Sequence, residues 1–210
     1  MYCDMSNGGW TLISRFSNFD NKNWMQYSGN WWYGRTTSYG SVTSTSNNYD
    51  MISPAFWLVR GNYIKITRND DNSHTYLLYT PNGCIGGNTF RGFITSFGNF
   101  RYGNSWNSNA CRRSCYSLFG GSYSSTWGFG YATCSSNLKN SNYLSFWCNW
   151  GGDSSVIMVG GGGDYCGRSD HGIGITERGS ATLGTSNSCD QDFGDNCRYS
   201  SGYSLNLWIK

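Results

Sequence analysis

The scarcity of strong helix formers is the feature that most limits what this chain can fold into. Its 210 residues include one Glu, four Lys and four Ala, against 29 Gly. Glu, Lys and Ala favour helices, whereas Gly with abundant Ser and Asn favours turns and loops around short strands. A helical bundle is therefore excluded, and an α+β or a mainly β fold remains. We predict the α+β class, with short strands, few short helices and much irregular loop.

The predicted strands are short apolar or alternating runs separated by clusters of Gly, Asn and Ser. They cover residues 9–16, 56–67, 75–79, 90–94, 143–146, 156–159 and 203–209, and a short helix is predicted around residues 20–27. The 10 Trp, 16 Tyr and 11 Phe supply rings that are able to build a core. The length suits one domain, and no linker or repeat divides it, so we predict a single domain over residues 1–210.

Nine cysteines indicate disulfide bonds rather than zinc sites. No two of them are spaced as C-x-x-C, and only two His, His74 and His171, are available as further zinc ligands. A disulfide framework predicts a secreted or extracellular protein. Because nine is an odd number, at least one cysteine is free, bonded to another chain or without its partner. The spacing leaves the pairing open.

Several classes of function are not predicted. The apolar runs are far shorter than the roughly 18 residues that a membrane-spanning helix needs. The net charge is only +3, and the basic residues are scattered, which disfavours nucleic-acid binding. Neither His lies in a recognisable nucleophile motif, so we predict that the chain is not an enzyme. A pair of carboxylates that cleaves a glycoside is the catalytic alternative.

Acidic residues concentrate in the last third of the chain. Residues 150–210 hold 7 of the 12 acidic residues, including the single Glu. The run from Asp190 to Asp195 spaces carboxylates around a Gly, which resembles a loop that wraps oxygen ligands around calcium. The alternatives are a solvated acidic loop and a His171 that hydrogen-bonds a neighbouring strand. The predicted calcium ligands are Asp153, Asp170, His171, Glu177, Asp190, Asp192 and Asp195.

Two groups of motifs resemble known families. The segment C-D-M at residues 3–5, followed by G-G-W-T-L-I at 8–13, resembles the opening of fibrinogen-related domains, and N-W-M-Q-Y at 23–27 and F-W-L at 56–58 continue the likeness. The run V-G-G-G-G at 159–163, with Cys166, is similar to a segment of intelectins, the X-type lectins. The segments at 170–177 and 203–208 resemble fibrinogen-like proteins of invertebrates.

This resemblance implies a fibrinogen-like domain that acts as an extracellular lectin in innate immunity, with residues 150–210 as its calcium and ligand subregion. The family's N-terminal segment, which would carry the partner of Cys3, would then be missing. Bound calcium would accept vicinal hydroxyls of a cell-surface or microbial glycan, and homo-oligomers would be expected. An adhesion or matrix module that binds protein and holds structural calcium is the alternative. The residues implied to contact ligand are His171, Glu177, Trp147, Trp150, Tyr199 and Tyr203. For the four aromatic residues, the alternative is that they are buried in the core.

Overall fold

The structure is a computed structural model that describes residues 1–6, 8–17, 32–97, 110–120, 142–150, 153–159, 172–176 and 204–210. These residues form thirteen strands, two α-helices and one 3-10 turn at Trp32–Gly34. The helices are α1 (Ala55–Leu58) and α2 (Phe90–Thr95). The strands are β1 (Tyr2–Asp4), β2 (Trp10–Ser17), β3 (Met51–Ile52), β4 (Arg60–Gly61), β5 (Ile64–Arg68), β6 (Leu78–Tyr79), β7 (Asn88–Thr89), β8 (Ala110–Tyr116), β9 (Leu118–Phe119), β10 (Tyr143–Trp150), β11 (Asp153–Val159), β12 (Gly172–Thr176) and β13 (Ser204–Ile209).

Antiparallel sheets dominate the architecture. The first sheet has the order β1-β2-β13-β5-β6-β9, with β3 also paired to β2. The second has the order β12-β11-β10-β8, and β4 pairs with β7 in a third, two-stranded sheet. The helices have only four and six residues, too few to form a layer against a sheet. The predicted α+β class is therefore wrong, and the mainly β alternative describes the chain.

Strand β13 lies in the middle of the first sheet, between β2 and β5. All six of its residues are buried. Leu207 pairs with Ser14 on one side and with Ile66 on the other. A strand from the last residues of the sequence therefore joins two strands from the first third, and the sheet depends on this long-range pairing.

One hydrophobic cluster joins the two larger sheets to both helices. Leu207 from the first sheet, Phe146 from the second and Phe90 from α2 all belong to it and are fully buried. The ring of Phe93 meets that of Phe146 edge-on, with centroids 5.0 Å apart. Aromatic side chains thus fill much of the space that aliphatic residues fill in other cores.

No helix in the described ranges is long and apolar enough to cross a membrane.

Two disulfides confirm the prediction that cysteines are bridged. Cys111 and Cys148 lie opposite each other on β8 and β10 and are bonded across the pair of strands. Cys84, in the turn after β6, is bonded to Cys115 on β8 and so ties the first half of the chain to the second sheet. Cys3 is exposed and has no disulfide partner. The other four cysteines lie outside the described residues.

The strand predictions were correct for β2, β10, β11 and β13, but residues 90–94 form helix α2. Phe90, Phe93 and Ile94 are the buried residues of this helix, and that spacing is helical. The Thr89 hydroxyl caps α2 by accepting from the amide of Gly92 at 3.0 Å.

The predicted strand at 56–67 is also partly wrong, because its first residues belong to α1. Ser53 and Pro54 before α1 are typical of a helix start, and the Ser53 hydroxyl accepts from the Ala55 amide at 3.1 Å. The helix predicted at 20–27 lies outside the described residues.

Candidate functional site

Most of the predicted calcium site lies outside the part of the chain that the structure describes. Asp153 is inside it, as the first residue of β11, where it pairs with Trp150 of β10. Among the described residues, no three His, Cys, Asp or Glu lie close enough together to hold a metal ion. Calcium binding therefore stays a prediction. The predicted ligands outside the described residues are Asp170, His171, Glu177, Asp190, Asp192 and Asp195.

Trp147 is a core residue in this structure. It is fully buried, its ring meets Tyr33 edge-on at a centroid distance of 5.0 Å, and its indole Nε1 donates to the Ile94 carbonyl at 3.0 Å. Its side chain is therefore not accessible to a ligand. Trp147 has the role in the core that the sequence analysis gave as the alternative. Tyr199 and Tyr203 lie outside the described residues.

A pocket of about 350 Å³ opens beside β2, where a long irregular loop crosses the first sheet. Residues 40–50, which we call the 40–50 loop, contain no helix or strand and lead from Tyr39 to β3. Binding residues are often carried on loops that a rigid scaffold holds in position. The described residues that line the pocket are Arg15, Tyr39, Gly40, Ser41, Asn47, Tyr49 and Asp50.

Arg15 is the residue around which the 40–50 loop is built. Its side chain is only 1% exposed, although it projects from the middle of β2. Nε donates to the Tyr49 carbonyl at 2.7 Å, Nη1 to the Ser44 carbonyl at 2.6 Å and Nη2 to the Ser41 carbonyl at 3.2 Å. A planar guanidinium presents several donors in fixed directions, so one side chain is able to orient three peptide groups of the loop.

The charge of Arg15 is balanced inside the protein. Burial lowers the pKa of Arg15 to about 10, and attraction to Asp50 opposes this shift. The guanidinium is therefore still charged at neutral pH. Asp50 is fully buried, and its Oδ1 accepts from the Ser17 amide at 2.7 Å. The buried side of the pocket thus carries one positive and one negative group.

Further hydrogen bonds hold the 40–50 loop against the sheet. The side-chain amide of Asn206 on β13 donates to the Thr45 carbonyl at 2.9 Å. The side-chain amide of Asn69, the residue after β5, donates to the Ser46 carbonyl at 3.1 Å. Together with Arg15, these contacts come from three neighbouring strands or their ends. The loop is held in one shape by side chains rather than by secondary structure of its own.

Gly40 allows the two ends of the loop to meet. It has φ of +71°, and a Cβ at this position would lie 2.3 Å from the Asp50 carbonyl oxygen. Only glycine fits such a close approach without strain. The neighbouring Tyr39 forms an antiparallel bridge with Ile52, with N–O distances of 3.0 and 2.9 Å. This bridge therefore fixes the backbone of Tyr39, whose side chain lines the pocket.

A second buried cation lies on the same sheet but is closed to ligands. Lys65 on β5 is 4% exposed, and its Nζ lies 5.0 Å from the ring centre of Trp10 and 4.9 Å from that of Trp208. The Asp4 carboxylate lies 3.8 Å from the same nitrogen. Burial lowers the pKa of Lys65, opposed by Asp4. This cation packs between two indole faces and serves the fold rather than a binding site.

The sequence analysis missed the pocket, although two of its residues leave a signal. Arg15 is the one charged residue in an otherwise apolar and hydroxylic predicted strand, and Asp50 directly precedes the apolar pair Met51 and Ile52. Charges in such places need buried partners. What the sequence does not indicate is that the partners of Arg15 are carbonyls some 30 residues away.

No known protein family matches this chain, and no curated protein matches it at a significant level. The resemblance to fibrinogen-related domains and intelectins therefore stays a hypothesis.

Proposed function

We propose that this protein is an extracellular, calcium-dependent carbohydrate-binding lectin. The concentration of acidic residues between Asp153 and Asp195 carries the proposal. In a chain with only 12 acidic residues, 7 of them fall in that stretch beside one of the two His. Unscreened carboxylates repel one another, and a divalent cation relieves that repulsion. Carboxylate oxygens are also the donors that calcium prefers.

Two further observations support an extracellular lectin. The bonds Cys84–Cys115 and Cys111–Cys148 are of the kind that persists in oxidising compartments. Tyrosine, asparagine and serine line the pocket at the 40–50 loop, and such side chains suit the apolar C–H surface and the hydroxyls of a sugar, which supports carbohydrate binding but not its dependence on calcium.

The proposed mechanism is binding without turnover. Carboxylates of the acidic segment, with His171 and Glu177 contacting both metal and sugar, would hold calcium, which supplies open coordination positions for vicinal hydroxyls. Aromatic side chains nearby would select among sugars by their shape. One such site binds weakly, and linked copies raise the effective affinity. We therefore propose that the protein acts as a homo-oligomer.

A glycan array that is read once with calcium and once with excess chelator tests this proposal. Thermal melting of the same samples shows whether the fold survives removal of the metal. We expect at least one glycan to lose its binding when chelator is added while the protein stays folded, and the same glycan to bind less well to His171→Ala and Glu177→Gln. Asp70→Asn, which changes an exposed carboxylate outside the acidic segment, is the matched control and is expected to bind normally.

Two outcomes would contradict the proposal. If no glycan binds but chelator lowers the melting temperature, calcium is structural and a protein-binding adhesion module is the better interpretation. If chelator changes neither binding nor melting, the acidic segment does not hold calcium at all.

A further inference from the structure

We propose that the pocket at the 40–50 loop is a second binding site, for a neutral saccharide, and that it works without calcium. This inference goes beyond the proposed function, because none of the residues that line the pocket is a predicted calcium ligand.

The size and lining of the pocket indicate a small polar ligand with an apolar face. A volume of about 350 Å³ is at the lower end of the range of ligand sites, roughly 300–1,000 Å³, and suits a sugar residue better than a dinucleotide. Among the described residues that line it, none is aliphatic. Tyr39 and Tyr49 supply the apolar surface, while Ser41 and Asn47 supply hydrogen-bonding groups. A pyranose ring has the matching pattern of C–H faces and hydroxyl edges.

The electrostatics of the pocket favour a neutral ligand over an anion. Arg15 would be the natural partner of a phosphate or carboxylate, but three of its five N–H groups donate to carbonyls of the 40–50 loop. Asp50 stands beside it with the opposite charge. An anion would have to compete with both the carbonyls and the carboxylate. Hydroxyl groups, which donate and accept, meet no such penalty.

The pocket is also accessible and already formed. Tyr49 is 64% exposed, and Ser41 and Asn47 are exposed beside it, so a ligand reaches the pocket from solvent. The backbone that carries these side chains is held by Arg15 and Asn206 from beneath. A ligand therefore needs to order only the exposed side chains, which keeps the entropic cost of binding low.

Saturation-transfer difference NMR on the intact protein tests the second site. The probes are the methyl glycosides of galactopyranose, glucopyranose and mannopyranose, measured in excess EDTA so that no calcium site is active. We expect transfer from aromatic protein protons to the C–H groups of at least one probe. Tyr49→Ala and Asn47→Ala both change exposed side chains, so both variants are expected to fold. Tyr116→Ala, at a tyrosine that is 43% exposed and distant in sequence, is the matched control.

Loss of the Tyr49 ring is expected to weaken binding about tenfold, which is the upper range for one aromatic contact. Asn47→Ala is expected to weaken it as well, and Tyr116→Ala to leave it unchanged. The proposal is overturned if no probe gives transfer in EDTA, or if Tyr49→Ala binds as well as Tyr116→Ala. The calcium-dependent lectin is tested by the glycan array with calcium and not by this NMR experiment in EDTA. The two proposals therefore fail separately.

Discussion

Replacing Arg15 by Met tests whether one buried guanidinium holds the 40–50 loop. Met keeps an unbranched apolar stem but removes the donors to the carbonyls of Ser41, Ser44 and Tyr49. It also leaves the Asp50 carboxylate buried without its nearby cation. The loss of three hydrogen bonds from a charged donor, together with the isolated buried carboxylate, is expected to cost about 3–5 kcal/mol of unfolding free energy. For a domain of this size, that corresponds to a fall in Tm of roughly 6–20 °C.

Arg68→Met is the matched control for this experiment. Arg68 lies at the end of β5 on the same sheet and forms an ion pair with Asp70, whose side chain is 51% exposed. The Arg68 and Asp70 side chains are 19% and 51% exposed, so their pair is partly screened by water and this variant is expected to lose less stability than Arg15→Met. Urea unfolding followed by tryptophan fluorescence gives both free energies. If Arg15→Met loses no more stability than Arg68→Met, the buried guanidinium does not hold the loop in the way we describe.

Three further predictions concern the rest of the fold. Burial lowers the pKa of Lys65 in the folded protein below its ordinary value of 10.5. Between the folded pKa and 10.5, the unfolded state binds more protons than the folded state, so the free energy of unfolding, measured with urea, should rise as the pH rises through this range. Lys65→Met should reduce that rise and leave the part that comes from Arg15, whose pKa burial also lowers, and an equal rise in the variant would refute the contribution of Lys65. Thr89→Ala should cost about 1 kcal/mol through loss of the α2 cap, and an unchanged urea midpoint would contradict the capping role. Replacing both Cys111 and Cys148 by Ser should lower stability by about 2–5 kcal/mol, and a variant that melts with the parent would show that this bridge adds nothing.

The sequence predicted the strands whose local pattern is clear and missed the elements that depend on context. Strand β2 follows directly from its short run of aromatic and aliphatic residues after a Gly pair. Residues 90–94 were predicted as a strand because two Phe and one Ile fall within five positions. The distinction from a helix rests on Phe90, Phe93 and Ile94 facing one core, together with a cap from Thr89. Short apolar runs do not settle that choice by themselves.

The candidate pocket was beyond sequence reasoning for a different reason. Tyr39, Tyr49 and Asp50 lie in a stretch rich in Ser, Thr and Asn that is typical of a plain surface loop. They lie together because Arg15 on β2 donates hydrogen bonds to carbonyls of the loop and holds the loop against the sheet. These acceptors are 26 to 34 positions later in the sequence. Hydrogen bonds between a side chain and distant carbonyls leave no periodic signal in the sequence.

Composition by itself determined that this chain is built from short strands, aromatic rings and disulfides, since helix formers are scarce and cysteines are many. Those properties are local or additive, so counting residues is enough to see them. The tertiary structure decided that β13 lies between β2 and β5, that Cys84 pairs with Cys115, and that Trp147 belongs to the core. Each of these is a choice among many possible partners. The choice is made by the free energy of packing the whole molecule, to which residues far apart in the sequence contribute together.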